Sequence, residues 1–351
     1  MSRSSSATAS MRMGMDKERL VVVTGAGGFI GGHLVAELKR RGFRTIRAVD
    51  IKPEQRWYQL HAGVENMTAD LRESDACRLA VAGATDVFNL AADMGGMGFI
   101  ETHKADCMIS VLINTHLLMA SRDAGVERFM FGSSACVYAA EKQTDPEVTA
   151  LKEEDAYPAM PEDGYGWEKL FSERMCRHFM EDYGISVRVP RFHNVYGPLG
   201  TYAGGREKAP AAICRKVVEA RLNGSNAIEI WGDGEQTRSF TYIDDSIDGI
   251  LRNMESDITE PINLGSNQLV TINRLVDIVE EIAGVTLERR YNPGAPQGVR
   301  GRNSDNTRIL ELLGWEPTTT LEAGLERTYA WIESQMTSGR QDQAALAFEG
   351  V

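Results

Sequence analysis

The sequence predicts an α/β chain, a doubly wound parallel sheet followed by a smaller C-terminal α/β domain. Three observations predict it. Apolar runs of strand length alternate with helical spacing through about residue 190, the rhythm of strand–helix–strand units. The first run, Arg19–Thr24 (RLVVVT), passes straight into a glycine-rich turn, GAGGFIGG. Beyond residue 190 the rhythm gives way to Gly- and Pro-rich loops, YGPLGTYAGGREKAP, WGDGEQTRSF and NPGAPQGVRGRNSD, between shorter elements. A chain of 351 residues has the length for one or two such domains.

Each element has its own warrant. Residues 1–17 are rich in Ser and Met and read as a disordered leader, with Met11, Met13 or Met15 as alternative starts. The leader lacks the apolar core of a secretory signal. Arg19–Thr24, bounded by glycines, reads as a buried parallel strand. Phe29–Arg41 has helical spacing and stops at Gly42, a residue suited to the left-handed cap. Further strands are expected at Arg44–Asp50, Val64–Ala69, Thr85–Leu90, Arg128–Ser133 and Ile185–Arg191, with long helices at His103–Ala124 and Tyr165–Tyr183. The layout is then a Rossmann-type cofactor domain over 18–190, with a returning segment near 238–260. A substrate-binding domain is expected over 191–237 and 261–336, and a mobile tail over 337–351.

Composition narrows the function. A net charge of −12 argues against nucleic acid, whose binding needs a basic footprint. No apolar run reaches the roughly 20 residues of a membrane helix. The five cysteines, Cys77, Cys107, Cys136, Cys176 and Cys214, are scattered with no CxxC pair. That pattern argues against a disulfide framework or a metal site and for a reducing cytoplasm.

Gly25, Gly28 and Gly31 form GxxGxxG between the first strand and the first helix, with Phe29 and Ile30 opening that helix. Such glycines permit a tight turn and seat a pyrophosphate on the helix N-terminus. Asp50 ends the next strand, where a carboxylate accepts from the adenosine ribose diol and repels a 2′-phosphate. NAD is therefore expected over NADP. Asp70 and Leu71 after the third strand, and Ala91 and Ala92 after the fourth, are expected along the adenine and phosphates.

Tyr165 and Lys169 are four residues apart on a helix and share a face. A neighbouring ammonium and a nicotinamide cation would lower the phenol pKa from its usual ~10. The tyrosine could then take a proton from a sugar hydroxyl held by Ser134, at the end of the fifth strand, while hydride leaves for NAD.

TGAGGFIG, NLAA, SSACVY, YGWEK and RFHNVYGP together resemble the extended short-chain dehydrogenase/reductase family, in its order, across residues 20–335. Three stretches are more specific: AADMGGMGFI at 91–100, SSAC at 133–136 and GGREKAPAAICRK at 204–216. They resemble the branch of that family that epimerises GDP-mannose at C3 and C5. WGDGEQTRSFTYID at 231–244 and GVRGRNSDN at 298–306 extend the likeness. The resemblance implies Cys136 as base and Lys208 as acid, one on each face of the sugar. It implies substrate contacts from Gly95, Ser134, Asn194, Glu207, Lys208, Lys216, Gln236, Arg238 and Arg300. It also implies a homodimer through the two long helices.

The residue types suit that chemistry. Oxidation at C4 acidifies the hydrogens at C3 and C5, and inversion removes a proton from one face and returns one to the other. A thiol and an ammonium, each modestly depressed, can exchange protons near neutrality. Lys216, Arg238, Arg300 and Arg302 offer cations to a diphosphate, with Arg302 ranked below Arg238 and Arg300. Cys77, Cys107, Cys176 and Cys214 read as packing residues, and His193 as structural. The related 4-epimerases usually carry Thr at position 136, and the 4,6-dehydratases an Asp-Glu pair after the catalytic hydroxyl. This chain has neither, and non-catalytic relatives generally lose part of the Ser134–Tyr165–Lys169 set.

Overall fold

The computed structural model describes residues 14–338. The main sheet contains β1 (Leu20–Thr24), β2 (Ile46–Asp50), β3 (Glu65–Thr68), β4 (Ala84–Asn89), β5 (Arg128–Phe131), β6 (Ser186–Phe192) and β7 (Pro261–Leu264). All neighbours pair in parallel in the order 7-6-5-4-1-2-3. The order reverses between β1 and β4, and the crevice at their carboxyl ends is where open α/β sheets bind ligands.

Pleat alternation divides the core between the two faces. Val21 and Val23 pack with Leu34 and Leu38 of helix α1 (Phe29–Arg40). Val22 and Val87 pack on the other face with Cys77 of α2 (Ser74–Val81), Leu117 of α3 (Val111–Ala124) and Cys176 of α4 (Tyr165–Tyr183). Smaller strands follow: Thr237–Ser239 runs antiparallel to Leu269–Thr271 and parallel to Gly301–Arg302. No helix among the described residues is long and apolar enough to cross a membrane.

Four boundaries differ from the sequence expectation. The expected helix His103–Ala124 is two helices, Lys104–Ile109 and α3, separated at Ser110. Ser110 is buried, and its hydroxyl accepts from the Asp93 amide at 2.9 Å, a bond that ties the junction of the two helices to the loop after β4. Pro261–Leu264, assigned above to the second domain, is the edge strand of the main sheet and pairs with Val189–Phe192. The leader ends earlier than residue 17, since Met15 is buried in the core, and Thr337 still belongs to the helix begun at Leu321. The leader through residue 13 and the tail from 339 lie outside the described residues.

One buried ion pair ties these layers together. Arg191 of β6 donates through Nε and Nη2 to both oxygens of Glu173 on α4, at 2.9 and 2.8 Å. Both side chains are only 2% exposed. Ser133 adds a donor to Glu173 at 2.5 Å, and Arg191 Nη1 reaches the Glu153 carbonyl at 2.7 Å. Burial alone would lower the Arg191 pKa, but the Glu173 charge raises it overall. Removing one partner leaves an uncompensated buried charge. Glu173→Gln is therefore expected to cost about 3–5 kcal/mol in urea unfolding, with Arg191→Met/Glu173→Leu costing less than the sum of its single changes.

Candidate active site

Cys136 is placed by a single turn. Ser134 ends the two-residue strand Ser133–Ser134 beside β6, and its hydroxyl accepts from the Cys136 amide at 3.2 Å, capping the turn Ala135–Val137. Helix α4 begins against that turn. A Cβ on Gly166 would lie 2.4 Å from the Cys136 carbonyl oxygen, so only glycine lets the helix start this close. Tyr165 is thereby buried beside Ser134 and Cys136.

Protein groups alone hold the Tyr165 pKa up. It stands well above the ordinary phenol value, first through burial, then through the charges of Cys136 and Glu168, with the Ser134 hydrogen bond opposing them. Lys169 lies 5.4 Å from the centroid of the Tyr165 ring and 4.6 Å from that of Phe131. Its ammonium also pairs with buried Glu168 at 3.6 Å, which shares its charge away from the phenol. Glu168 was not singled out in the sequence.

Cations surround the thiol. Arg302, 4% exposed, donates through Nη1 to Cys136 Sγ at 3.6 Å and through Nε to Gln143 at 2.7 Å. It also pairs with Glu162. Lys208 stands just before helix α5 (Ala209–Asn223) and is half-buried. Burial lowers its pKa, and the Cys136 charge opposes that shift. Arg238 is lowered by burial to about 10, with Cys136 again opposing. Ser134, Cys136, Tyr165, Lys169, Lys208 and Arg238 thus form one electrostatic unit. Arg302, ranked below Arg238 and Arg300 from the sequence, is the cation that hydrogen-bonds the thiol, and it stands opposite Arg238 in the neighbouring strand.

The other substrate candidates are held by the protein. Arg238 donates to the carbonyls of Thr237, Gln297 and Val299. Arg300, on the rim, holds Asp233 bidentately at 2.8 Å and keeps its carboxyl at about 2. Lys216 donates to the Glu229 carbonyl at 2.7 Å and lies 5.7 Å from the centroid of the Trp231 ring. Glu207 accepts from the Gly205 amide at 2.7 Å and from Arg215 at 3.3 Å. Gln236 is buried, donating to the Trp231 carbonyl while its Oε1 has no hydrogen-bond partner among the described residues. Asn194 adopts φ +42° and donates to the Ser239 carbonyl. Gly95 faces the Phe99 and Arg206 side chains. His193 is wholly buried at 2.9 Å from Asn263, with its pKa lowered to about 4 by burial.

The glycine turn fits a dinucleotide. Gly25 has φ +68°, and a Cβ there would sit 2.8 Å from the Leu90 carbonyl oxygen; one on Gly31 would sit 2.2 Å from that of Gly25. Gly28 caps α1 without a side-chain bond, and Phe29 and Ile30 are half-buried in its first turn. Asp50 is buried at the end of β2, where burial raises its pKa, and it accepts from Gly27 at 3.0 Å and Lys52 at 2.9 Å. Each of its oxygens retains acceptor capacity for a ribose hydroxyl. Asp70 is paired with Arg72 at 2.7 Å, Leu71 is buried among core residues, and Ala91 and Ala92 follow β4, half-buried.

A Rossmann sheet with a Ser–Tyr–Lys set and a thiol–ammonium pair defines a sugar-modifying dehydrogenase-type scaffold. The chain belongs to the NAD dependent epimerase/dehydratase family, whose model matches residues 21–265. It is 46% identical over 331 residues to GDP-mannose 3,5-epimerase 1 of Oryza sativa subsp. japonica, covering 94% of this chain and 86% of that one. It is 45% identical to GDP-mannose 3,5-epimerase of Arabidopsis thaliana over the same shares. Among solved structures, UDP-glucose 4-epimerase of Thermotoga maritima with UDP-glucose aligns with a TM-score of 0.81 and 27% identity, covering 90% of this chain and 99% of that one.

Burial holds the other thiols up: Cys77 and Cys176 to about 12 and Cys107 to about 11, with Cys214 also raised. Mass spectrometry after brief iodoacetamide treatment of the native protein is expected to find alkylation at Cys136 first. Arg302→Gln should slow that reaction about tenfold, the worth of one charge-assisted hydrogen bond.

Proposed function

We propose that the chain converts GDP-mannose to GDP-L-galactose, and to GDP-L-gulose, by transient oxidation at C4 with inversion at C3 and C5. The observation that carries the reading is the electrostatic coupling of Cys136 and Lys208 beside the Ser134–Tyr165 hydrogen bond. NAD, held by Gly25, Gly28, Phe29, Ile30, Gly31, Asp50, Asp70, Leu71, Ala91, Ala92, Tyr165 and Lys169, supplies the hydride acceptor and donor.

Ser134 orients the C4 hydroxyl and Tyr165 accepts its proton. The raised phenol pKa makes this transfer depend on a cation, and the Lys169 ammonium 5.4 Å from the ring centroid provides a fixed one. Once C4 is a ketone, Cys136 takes the proton from C5 or C3 and Lys208 delivers one to the opposite face. Arg302, donating to the sulfur at 3.6 Å, holds the base in place. Asn194, Gly95, Glu207, Lys216 and Gln236 position the nucleotide sugar, and Arg238 and Arg300 hold the diphosphate, which competes with Asp233 for the Arg300 fork.

Two finer readings follow. Met108, Leu112, Met119, Trp167 and Phe171 are exposed around α3 and α4, which supports a homodimer closed across these helices. All five cysteines are free, which supports a reducing, cytoplasmic setting.

The decisive experiment incubates the NAD-loaded protein with GDP-mannose in heavy water and follows the sugar by NMR. Deuterium is expected at C3 and C5 with no net NADH, and absence of exchange at both carbons would overturn the reading. Cys136→Ala and Lys208→Met should each lose about 10²–10⁴-fold in exchange.

Lys208 acts in its protonated form, and its pKa lies below the ordinary lysine value of 10.5. Exchange is therefore expected to fall as pH rises through that lowered value, placing the alkaline limb below 10.5. Sedimentation velocity should show a dimer that Phe171→Glu converts to monomer.

A further inference from the structure

The loop that delivers Lys208 has little stiffness of its own. Gly204 and Gly205 both have positive φ, at +86° and +83°, and paired glycines lose the most backbone freedom on ordering. An acid that must reach one face of a sugar ring needs that loop fixed. Arg206 supplies the fixation. Its guanidinium pairs with Asp93 at 2.6 Å, donates to the Met94 carbonyl at 3.3 Å and stacks 3.6 Å from the centroid of the Phe99 ring. Phe99 is itself backed by His103, stacked at 4.3 Å.

The backbones lock as well. The Gly96 amide donates to the Arg206 carbonyl at 3.0 Å, and a Cβ on Gly96 would lie 2.3 Å from the Glu207 carbonyl oxygen. A Cβ on Gly95 would lie 3.2 Å from Arg206. The paired glycines of AADMGGMGF thus admit the 206–207 backbone. From the other side, Glu207 is tied to Arg215. The Lys208 segment is consequently bolted to the loop that follows β4.

We infer that Arg206 is a positioning residue: through Asp93 and Phe99 it fixes Lys208 opposite Cys136. The inference rests on the acid role of Lys208 proposed above. Displacements of about an ångström at a reacting group cost roughly 100-fold in rate, so the clamp acts on turnover and leaves substrate affinity in place.

The test measures deuterium wash-in at C3 and C5, GDP-mannose affinity by calorimetry and thermal melting, in the NAD-loaded full chain. Arg206→Ala is expected to lower wash-in about 100-fold with affinity and melting near wild type. Arg206→Lys, which keeps the Asp93 pair but loses the stack, should recover part of the rate. The alkaline limb should move toward the ordinary lysine value in Arg206→Ala, because a loosened ammonium regains water. If Arg206→Ala does not fold, Phe99→Leu and Asp93→Asn carry the same expectations. Wild-type wash-in in these variants, or parallel loss of affinity and rate, overturns the clamp. Lys208→Met separates the two readings: wild-type exchange in that variant sinks the acid assignment itself, whereas lost exchange there with normal exchange in Arg206→Ala sinks only the clamp.

Discussion

The site depends on a carboxylate and a guanidinium that never meet solvent. Glu173 lies one turn past Lys169 on α4, and Arg191 lies in β6 beside the strand that ends in Ser134. Their fork-to-fork contact, with Ser133 joined to it, leaves helix and strand a single register. Tyr165 and Ser134 are the ends of that arrangement. A hydrophobic contact tolerates sliding along a helix, whereas a bidentate pair does not. Tyr138, donating to Asn263 and stacked on Arg191, extends the same restraint to β7. Isolated ion pairs of this kind are weak sources of net stability; here the geometry is their contribution.

Around Cys136 the charge arrangement reverses the economy of the rest of the chain. An acidic protein brings Arg238 and Arg302 to directly facing positions of adjacent strands, a placement that ordinarily destabilises a sheet. Carbonyl oxygens of Thr237, Gln297 and Val299 absorb one guanidinium, and Glu162 and Gln143 the other. One donor of Arg302 remains directed at the Cys136 sulfur, at 3.6 Å.

Much of this is legible in the sequence. The doubly wound class follows from alternating runs, and the Gly25 turn and the Tyr165–Lys169 spacing declare themselves because each is local in sequence. What escaped is nonlocal. Ser110, where the expected helix divides, accepts from Asp93, seventeen residues upstream, and no periodicity reports such a bond. Pro261–Leu264 is four residues long, too brief for a pattern to assign it to one sheet over another. Arg300 and Arg302 have the same chemistry two residues apart, and only nonlocal contacts separate them, Arg300 holding Asp233 and Arg302 reaching the thiol. Burial and the Glu168 charge, which raise the Tyr165 pKa, are likewise invisible in the Tyr165–Lys169 spacing.

Gly166 carries an implication for the history of such sites. Its hydrogen is what allows the start of α4 to press against the Cys136 carbonyl, so the span between the phenol and the thiol is written into one missing methyl group. Any side chain there forces the turn and the helix apart together. A lineage can exchange the base at 136 or the sugar-gripping cations one at a time, but it reaches a new residue at 166 only by rebuilding both elements at once. A position that bears no functional group thus fixes how closely the Tyr165 helix meets the Cys136 turn.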